Sequence, residues 1–102
     1  MKELRLFMRG GEDFAHFFES PHLEDATVFS QLGKIEKGNP IPKGTFETEI
    51  VEGGYNLKMS NLETSKLSNG AYRFDVLVRR TDSLQKGGYR HDIEYYGSVI
   101  VE

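Results

Sequence analysis

His16 and His22 stand six residues apart across Pro21, with Asp13, Glu19 and Glu24 close by. Imidazole and carboxylate together form a donor set that zinc accepts. Nothing in the sequence fixes the geometry of that set, and metal ligands normally come with an ordered second shell of hydrogen bonds. These residues therefore read as ordinary surface side chains. His91 with Asp92 and Glu94 is similar, because on a strand His91 faces away from both acids, which leaves a solvated face. The acid pairs Glu12-Asp13, Glu24-Asp25 and Glu47-Glu49 have the residue types of glycoside hydrolysis, but without a pocket they read as solubilising charge. Gly53-Gly54 and Gly87-Gly88 lack the Lys-Ser/Thr of a phosphate loop, and no serine stands in a nucleophile elbow. The chain has no cysteine, which removes thiolate catalysis and Cys-based zinc sites and fits assembly in a reducing compartment. The expectation is a protein without enzymatic activity, cofactor or metal.

What remains is the frame that holds these residues. The 102 residues are expected to form one domain, 1–102, large enough to bury about two-thirds of its unfolded surface. With 13 basic and 16 acidic residues and a net charge of -3, it carries no footprint for nucleic acid. No run approaches the roughly 18 apolar residues of a membrane span, and the charged start "MKELRLFMRGGEDF" does not fit a signal peptide.

Period-two alternation dominates. "KELRLFM" sets Leu4, Leu6 and Met8 on one side of a strand before Gly10-Gly11. "DFAHFFE" fits neither period cleanly, but its aromatics and the Pro21 stop favour a strand. "DATVFSQLGKI" and "TFETEIVE" read as strands on either side of "KGNPIPKG", residues 37 to 44, which reads as a long loop. Gly53-Gly54 predicts a hairpin turn into a strand with Tyr55, Leu57 and Met59 on one face. "AYRFDVLVRR" lines up Tyr72, Phe74, Val76 and Val78 against Arg73, Asp75 and Arg79, and is expected at the centre of the core. "TDSLQKGG" turns the chain into a long final strand, with Gly97 a candidate bulge or bend. The only helical candidate is one turn in "SNLETSKL", where Ser60 and Glu63 have capping-box spacing. The fold expected is all-β, an immunoglobulin-like antiparallel β-sandwich of seven or eight strands, with a small barrel as the alternative.

In such sandwiches a tyrosine near the start of a late strand can bond back to the backbone a few residues upstream. Tyr72 stands where that tyrosine corner would be, with the partner expected between Glu63 and Gly70. The alternative is an ordinary core aromatic with a wet hydroxyl. Leu62 and Leu67 are expected to plug the end of the core, and Asn69-Gly70 to make the turn.

These residues carry a resemblance. "LKMSNLETSKLSNGAYRFDVLVRR", followed by a turn and "YYGSVIVE", is similar to the small β-sandwich domains of tailed-phage virions: the N-terminal domain of upper baseplate proteins and tail-fibre collar proteins. The matching positions are Glu63-Thr64, Leu67, Gly70, Tyr72, Asp75, Gly97 and Val101, with an early "gedF" element at Gly11 to Phe14. The resemblance implies a virion structural protein assembled in the host cytoplasm. The upper baseplate protein continues into a fibre, whereas this sequence ends at Glu102 right after its last strand, so the role expected is that of an adaptor, collar or decoration subunit of tail, baseplate or capsid. The structural positions are then Leu67, Gly70, Tyr72, Phe74 and Val76.

The interface candidates are Phe17, Phe18, Tyr89, Tyr95 and Tyr96. Tyr95 and Tyr96 are adjacent on a strand, so one must face outward, and Tyr89 and Tyr55 are candidates to do so. An exposed phenylalanine at Phe17-Phe18, beside a sheet edge, would invite strand addition by a neighbour. The partners expected are other virion proteins and copies of the chain itself in a homo-oligomer. Two other functions compete: a carbohydrate-binding module using Tyr55, Tyr89 and Tyr95 or Tyr96, and a small enzyme inhibitor or host-takeover protein.

Overall fold

The computed structural model describes residues 2–82, 84 and 87–102. Among the described residues, eight strands and one helical turn follow in order: β1 (Lys2–Met8), β2 (Phe14–Glu19), β3 (Thr27–Glu36), β4 (Asn39–Thr45), β5 (Glu47–Val51), β6 (Gly54–Met59), α1 (Asn61–Thr64), β7 (Gly70–Thr81) and β8 (Tyr89–Val101). They form two sheets, a large one of order β1-β8-β7-β3-β4 and a small one of order β2-β6-β5. β3 and β4, β5 and β6, and β7 and β8 pair within one sheet, while the chain changes sheet at each of the other connections, and this crossing order is that of an immunoglobulin-like sandwich.

Strand β7 shows why the two layers close. Tyr72, Phe74, Val76 and Val78 point inward and are buried, while the residues between them face out. Opposite them the small sheet contributes Phe18, Tyr55, Leu57 and Met59 to the same core cluster. Phe18 is the hinge of the aromatic packing, stacked on Tyr55 at 5.7 Å and edge-on to Tyr95 at 4.8 Å. Such pairs add about 1 kcal/mol each beyond the area they bury.

Four expectations are corrected here. Residues 37 to 44 are not a long loop: the chain turns at Lys37 and Gly38 and returns as β4. Pro40 and Pro42 suggested a loop, but an edge strand tolerates prolines where the missing N–H would face the open side. The sandwich is not antiparallel throughout, since β1 pairs β8 in parallel, from Lys2 opposite Tyr95 to Met8 opposite Val101. No hairpin joins these two strands, so nothing obliges them to run oppositely. Gly97 is not the bulge. Val76 pairs Tyr95 and Leu77 pairs Ile93, so the extra residue of β8 is Glu94. Gly97 instead sits at φ 151°, where a Cβ would lie 1.8 Å from the Leu4 carbonyl oxygen, so it permits the close approach of β1. Leu62 does not plug the core but lies 70% exposed on α1, while Leu67 is buried.

Candidate functional site

Both ends of the sandwich are tied by polar groups. At one end Tyr72 donates its hydroxyl hydrogen to the Ser68 carbonyl at 2.7 Å, inside the interval where a corner partner was expected. Lys34 Nζ sits 4.6 Å over the same ring. Gly70, at φ 143°, opens β7, and Phe74 and Val76 follow Tyr72 into the core. Just upstream, Ser60 caps α1 by accepting from the Glu63 N–H, one half of the capping box its spacing suggested, while the Glu63 carboxylate pairs with Lys66. Thr64 is fully buried: its hydroxyl accepts from the Gly11 N–H at 3.1 Å and donates to the Glu12 carbonyl at 2.8 Å. Asp13 accepts from the Asn61 N–H at 2.7 Å. The early Gly11 to Phe14 element and the Glu63-Thr64 element, 50 or so residues apart in sequence, are one contact.

The other end was missed from sequence. Arg80 is only 8% exposed. Its guanidinium donates to Glu94 Oε2 at 2.7 Å, Ser20 Oγ at 2.9 Å, the Pro21 carbonyl at 3.0 Å and the His22 carbonyl at 3.1 Å. Glu94 in turn accepts from Ser20 Oγ at 2.7 Å and the Tyr55 hydroxyl at 3.2 Å. A buried charge pair persists only when its remaining lone pairs and protons are satisfied, and here no buried side-chain polar atom among the described residues lacks a partner. Glu94 is therefore not part of a solvated face with His91 and Asp92. Alternation from the outward His91 and Ile93 turns Glu94 inward, and the bulge lets Tyr95 face inward beside it. Burial pushes the Tyr55 phenol well above its ordinary pKa, with the Glu94 charge adding to the rise. Tyr95, whose hydroxyl donates to the Glu19 carbonyl at 2.6 Å, is raised for the same reasons in the same order.

Of the interface candidates, the structure places Phe18 and Tyr95 in the core, 2% and 8% exposed, and Tyr55 with them at 0%. Two adjacent aromatics on a strand do not reveal which one turns in. Phe17 is exposed on the outer side of the small sheet, with its ring over Gly54, where a Cβ would meet it at 2.9 Å. Tyr89 and Tyr96 lie exposed on the outer side of the large sheet. His16 rests on Phe18 with ring centroids 4.8 Å apart, and the described residues hold no cluster of His and acids able to ligate a metal.

The outer side of the large sheet is where exposed apolar surface collects. Among the described residues, Phe7, Phe29, Ile35, Tyr89, Ile93 and Tyr96 all lie on it with large exposed side chains. Strand register sorts this face into rows about 6.6 Å apart, two residues per step. The first row is Phe29, Leu77 and Ile93; the second is Gln31, Asp75, Tyr96 and Glu3; the third is Gly33, Arg73, Ser98 and Arg5. Ile35, Ala71, Ile100 and Phe7 make the fourth. An open concavity of about 950 Å³ lies over the second to fourth rows of the face, bordered by Gly33, Ala71 and Ser98. Glu3, Arg5, Arg73 and Asp75 are all exposed, and none is in an ion pair among the described residues. Sequence carried one signal for this face: Leu77 is the apolar residue among the outward positions Arg73, Asp75 and Arg79.

No family model matches the chain, and no curated protein does. Among solved structures it is similar to the M1 domain from titin, at 12% identity over 98% of this chain and 90% of that one with a TM-score of 0.47. It is also similar to titin domain M7, at 14% identity over 100% of this chain and 87% of that one with a TM-score of 0.46.

Proposed function

We propose that this chain is a non-enzymatic structural subunit that works by protein–protein contact through the outer side of its large sheet. The observation that carries the reading is that face: exposed phenylalanines and isoleucines in two rows, with unpaired charges between them. Apolar side chains that cluster on one face of a monomer, flanked by polar groups, mark a contact surface. The hydrogen bonds at both ends suit that task, because groups already held in place lose little freedom on binding.

We place the subunit in the virion of a tailed phage, as an adaptor, collar or decoration protein of tail, baseplate or capsid that binds other virion proteins and its own copies. Support comes from the resemblance, whose scattered positions share structural work in this chain. Thr64 joins the Gly11 element to α1, Tyr72 secures the following loop, and Gly97 admits β1. The glycan-binding alternative loses Tyr55 and Tyr95 to the core and keeps Tyr89 and Tyr96, and Arg79 lies 4.5 Å over the Tyr89 ring.

The test is mass spectrometry of density-purified phage particles from the lysate that produces the chain. A fixed copy number that survives high-salt washing is expected, and Leu77→Asp should abolish incorporation while the unfolding midpoint stays put. Absence from washed particles would refute the virion role, and a glycan-array signal lost in Tyr96→Ala would favour the alternative.

A further inference from the structure

We infer that the outer side of the large sheet binds a second copy of this chain, through an isologous interface whose two-fold axis runs across the strands between the Asp75 and Arg73 rows. The inference rests on the reading of this face as a contact surface and names its occupant.

The argument is the order of the rows: apolar, acidic, basic, apolar. In an isologous dimer each patch must complement itself under the rotation that relates the copies. A two-fold axis lying between the sheets and running across the strands reverses the order of the rows. It sets the first row on the partner's fourth: Phe29 over Ile35, Leu77 over Ala71, Ile93 over Ile100. It sets the second row on the third: Asp75 over Arg73 and Glu3 over Arg5, each twice by symmetry. An axis along the strands would lay each row on itself with the strand order reversed, so that Asp75 and Glu3 meet only Tyr96 and Gln31, and Arg73 and Arg5 only Ser98 and Gly33, with no opposite charges paired. Only the first arrangement satisfies the four exposed charges that lack ion pairs within the chain.

Shape follows the same order. The concavity spans the second to fourth rows, from Gln31, Asp75 and Tyr96 past Gly33 and Ser98 to Ile35 and Ala71, and none of Phe29, Leu77 and Ile93 lines it. The large side chains of the first row thus face the hollow end of the partner. Aligned sheet packing turns the strands by about 30°, which matches rows rather than single atoms. The four strands and rows involved cover about 500 Å² per copy from strand spacing and rise. The total of about 1,000 Å² is at the lower size bound of a specific interface. Arg79, Tyr89 and His91 fall outside the paired rows and form a polar rim.

The test is light scattering of the purified chain over a hundredfold concentration range, with two charge reversals. Asp75→Arg places two bases, and Arg73→Asp two acids, in the central rows, so each variant alone should dissociate at concentrations about tenfold or more above the parent. Mixed in equal amounts, the two should recover a dimer, because each then meets the opposite charge at both positions. Both residues are exposed, and unfolding midpoints check that the variants fold. A parent that stays monomeric, a dimer indifferent to both reversals, or a mixture that does not recover would each overturn the inference. A monomeric chain found in washed particles would overturn this pairing but keep the virion role. A dimer that shows the charge-swap recovery, in a chain absent from particles, would do the reverse.

Discussion

The two outer faces of the sandwich are built from the same alternation, yet one is finished and the other is not. On the small sheet, Lys58 reaches Glu49 at 3.1 Å, Asn56 adds a hydrogen bond to the same carboxylate, and the one large exposed ring on that face, Phe17, lies over Gly54. Glu49 is accordingly held below the usual carboxylate pKa, chiefly by its hydrogen bond to Lys58. On the large sheet the charges of the two middle rows find no ion partner within the chain among the described residues, and the apolar rows on either side are exposed. Among the described residues, cross-strand pairing thus closes the centre of one face, with Glu19 and Glu47 left unpaired on its edge strands, and leaves the two middle rows of the other without an ion partner. The difference supports the proposed contact through the large sheet, where the sequence offered no catalytic motif.

The largest effect on this contrast should come from Arg80→Ala. Arg80 ties Ser20, Pro21 and His22, at the end of β2, to Glu94 on the large sheet. Its loss leaves a poorly solvated carboxylate and should cost about 3 kcal/mol in denaturant unfolding. Gly97→Ala comes next, at about 2 to 3 kcal/mol, because a methyl group cannot fit against the Leu4 carbonyl and the backbone there suits glycine. It should also release β1, which carries Glu3, Arg5 and Phe7, so rapid amide exchange in residues 2–8 and weaker association should appear together. Tyr72→Phe removes one hydrogen bond to Ser68 and should cost about 1 kcal/mol with association unchanged, since the hydroxyl lies inside. The smallest effect concerns pH. Tyr55 and Tyr95 hold their protons in the folded chain at pH values where unfolded tyrosines release theirs. Stability is therefore fully present below about pH 10 and should fall as pH rises beyond it, a slope that Tyr55→Phe should reduce.

How much of this was legible in the sequence follows from what alternation can and cannot encode. The inward parity of Tyr72 to Val78 exposed the central strand, and Ser60 with Glu63 marked the one helical turn. The same parity extended by one step puts Arg80 in the core, but a charged residue at an inward position reads as the end of the pattern unless its partners are known. Glu94 is separated from Arg80 by a turn and shifted by a bulge, so spacing could not pair them. Prolines hid β4, because their tolerance on an edge depends on which side of the strand is open. Phe17 and Phe18, like Tyr95 and Tyr96, differ only in which face they take, and that is decided by the opposite sheet. The rows of the contact face join residues from β1, β3, β7 and β8, whose register is a property of the folded sheet.

Phe29 and Phe17 offer the most direct test of the claim that the outer side of the large sheet is the working surface. They are exposed to similar degrees, 50% and 45%, on the two opposite outer faces. Phe29→Asp and Phe17→Asp would each place one carboxylate there, to be compared by light scattering over the same concentration range. The account predicts that Phe29→Asp abolishes association while Phe17→Asp behaves as the parent. Equal loss in both, or loss in Phe17→Asp alone, would contradict it.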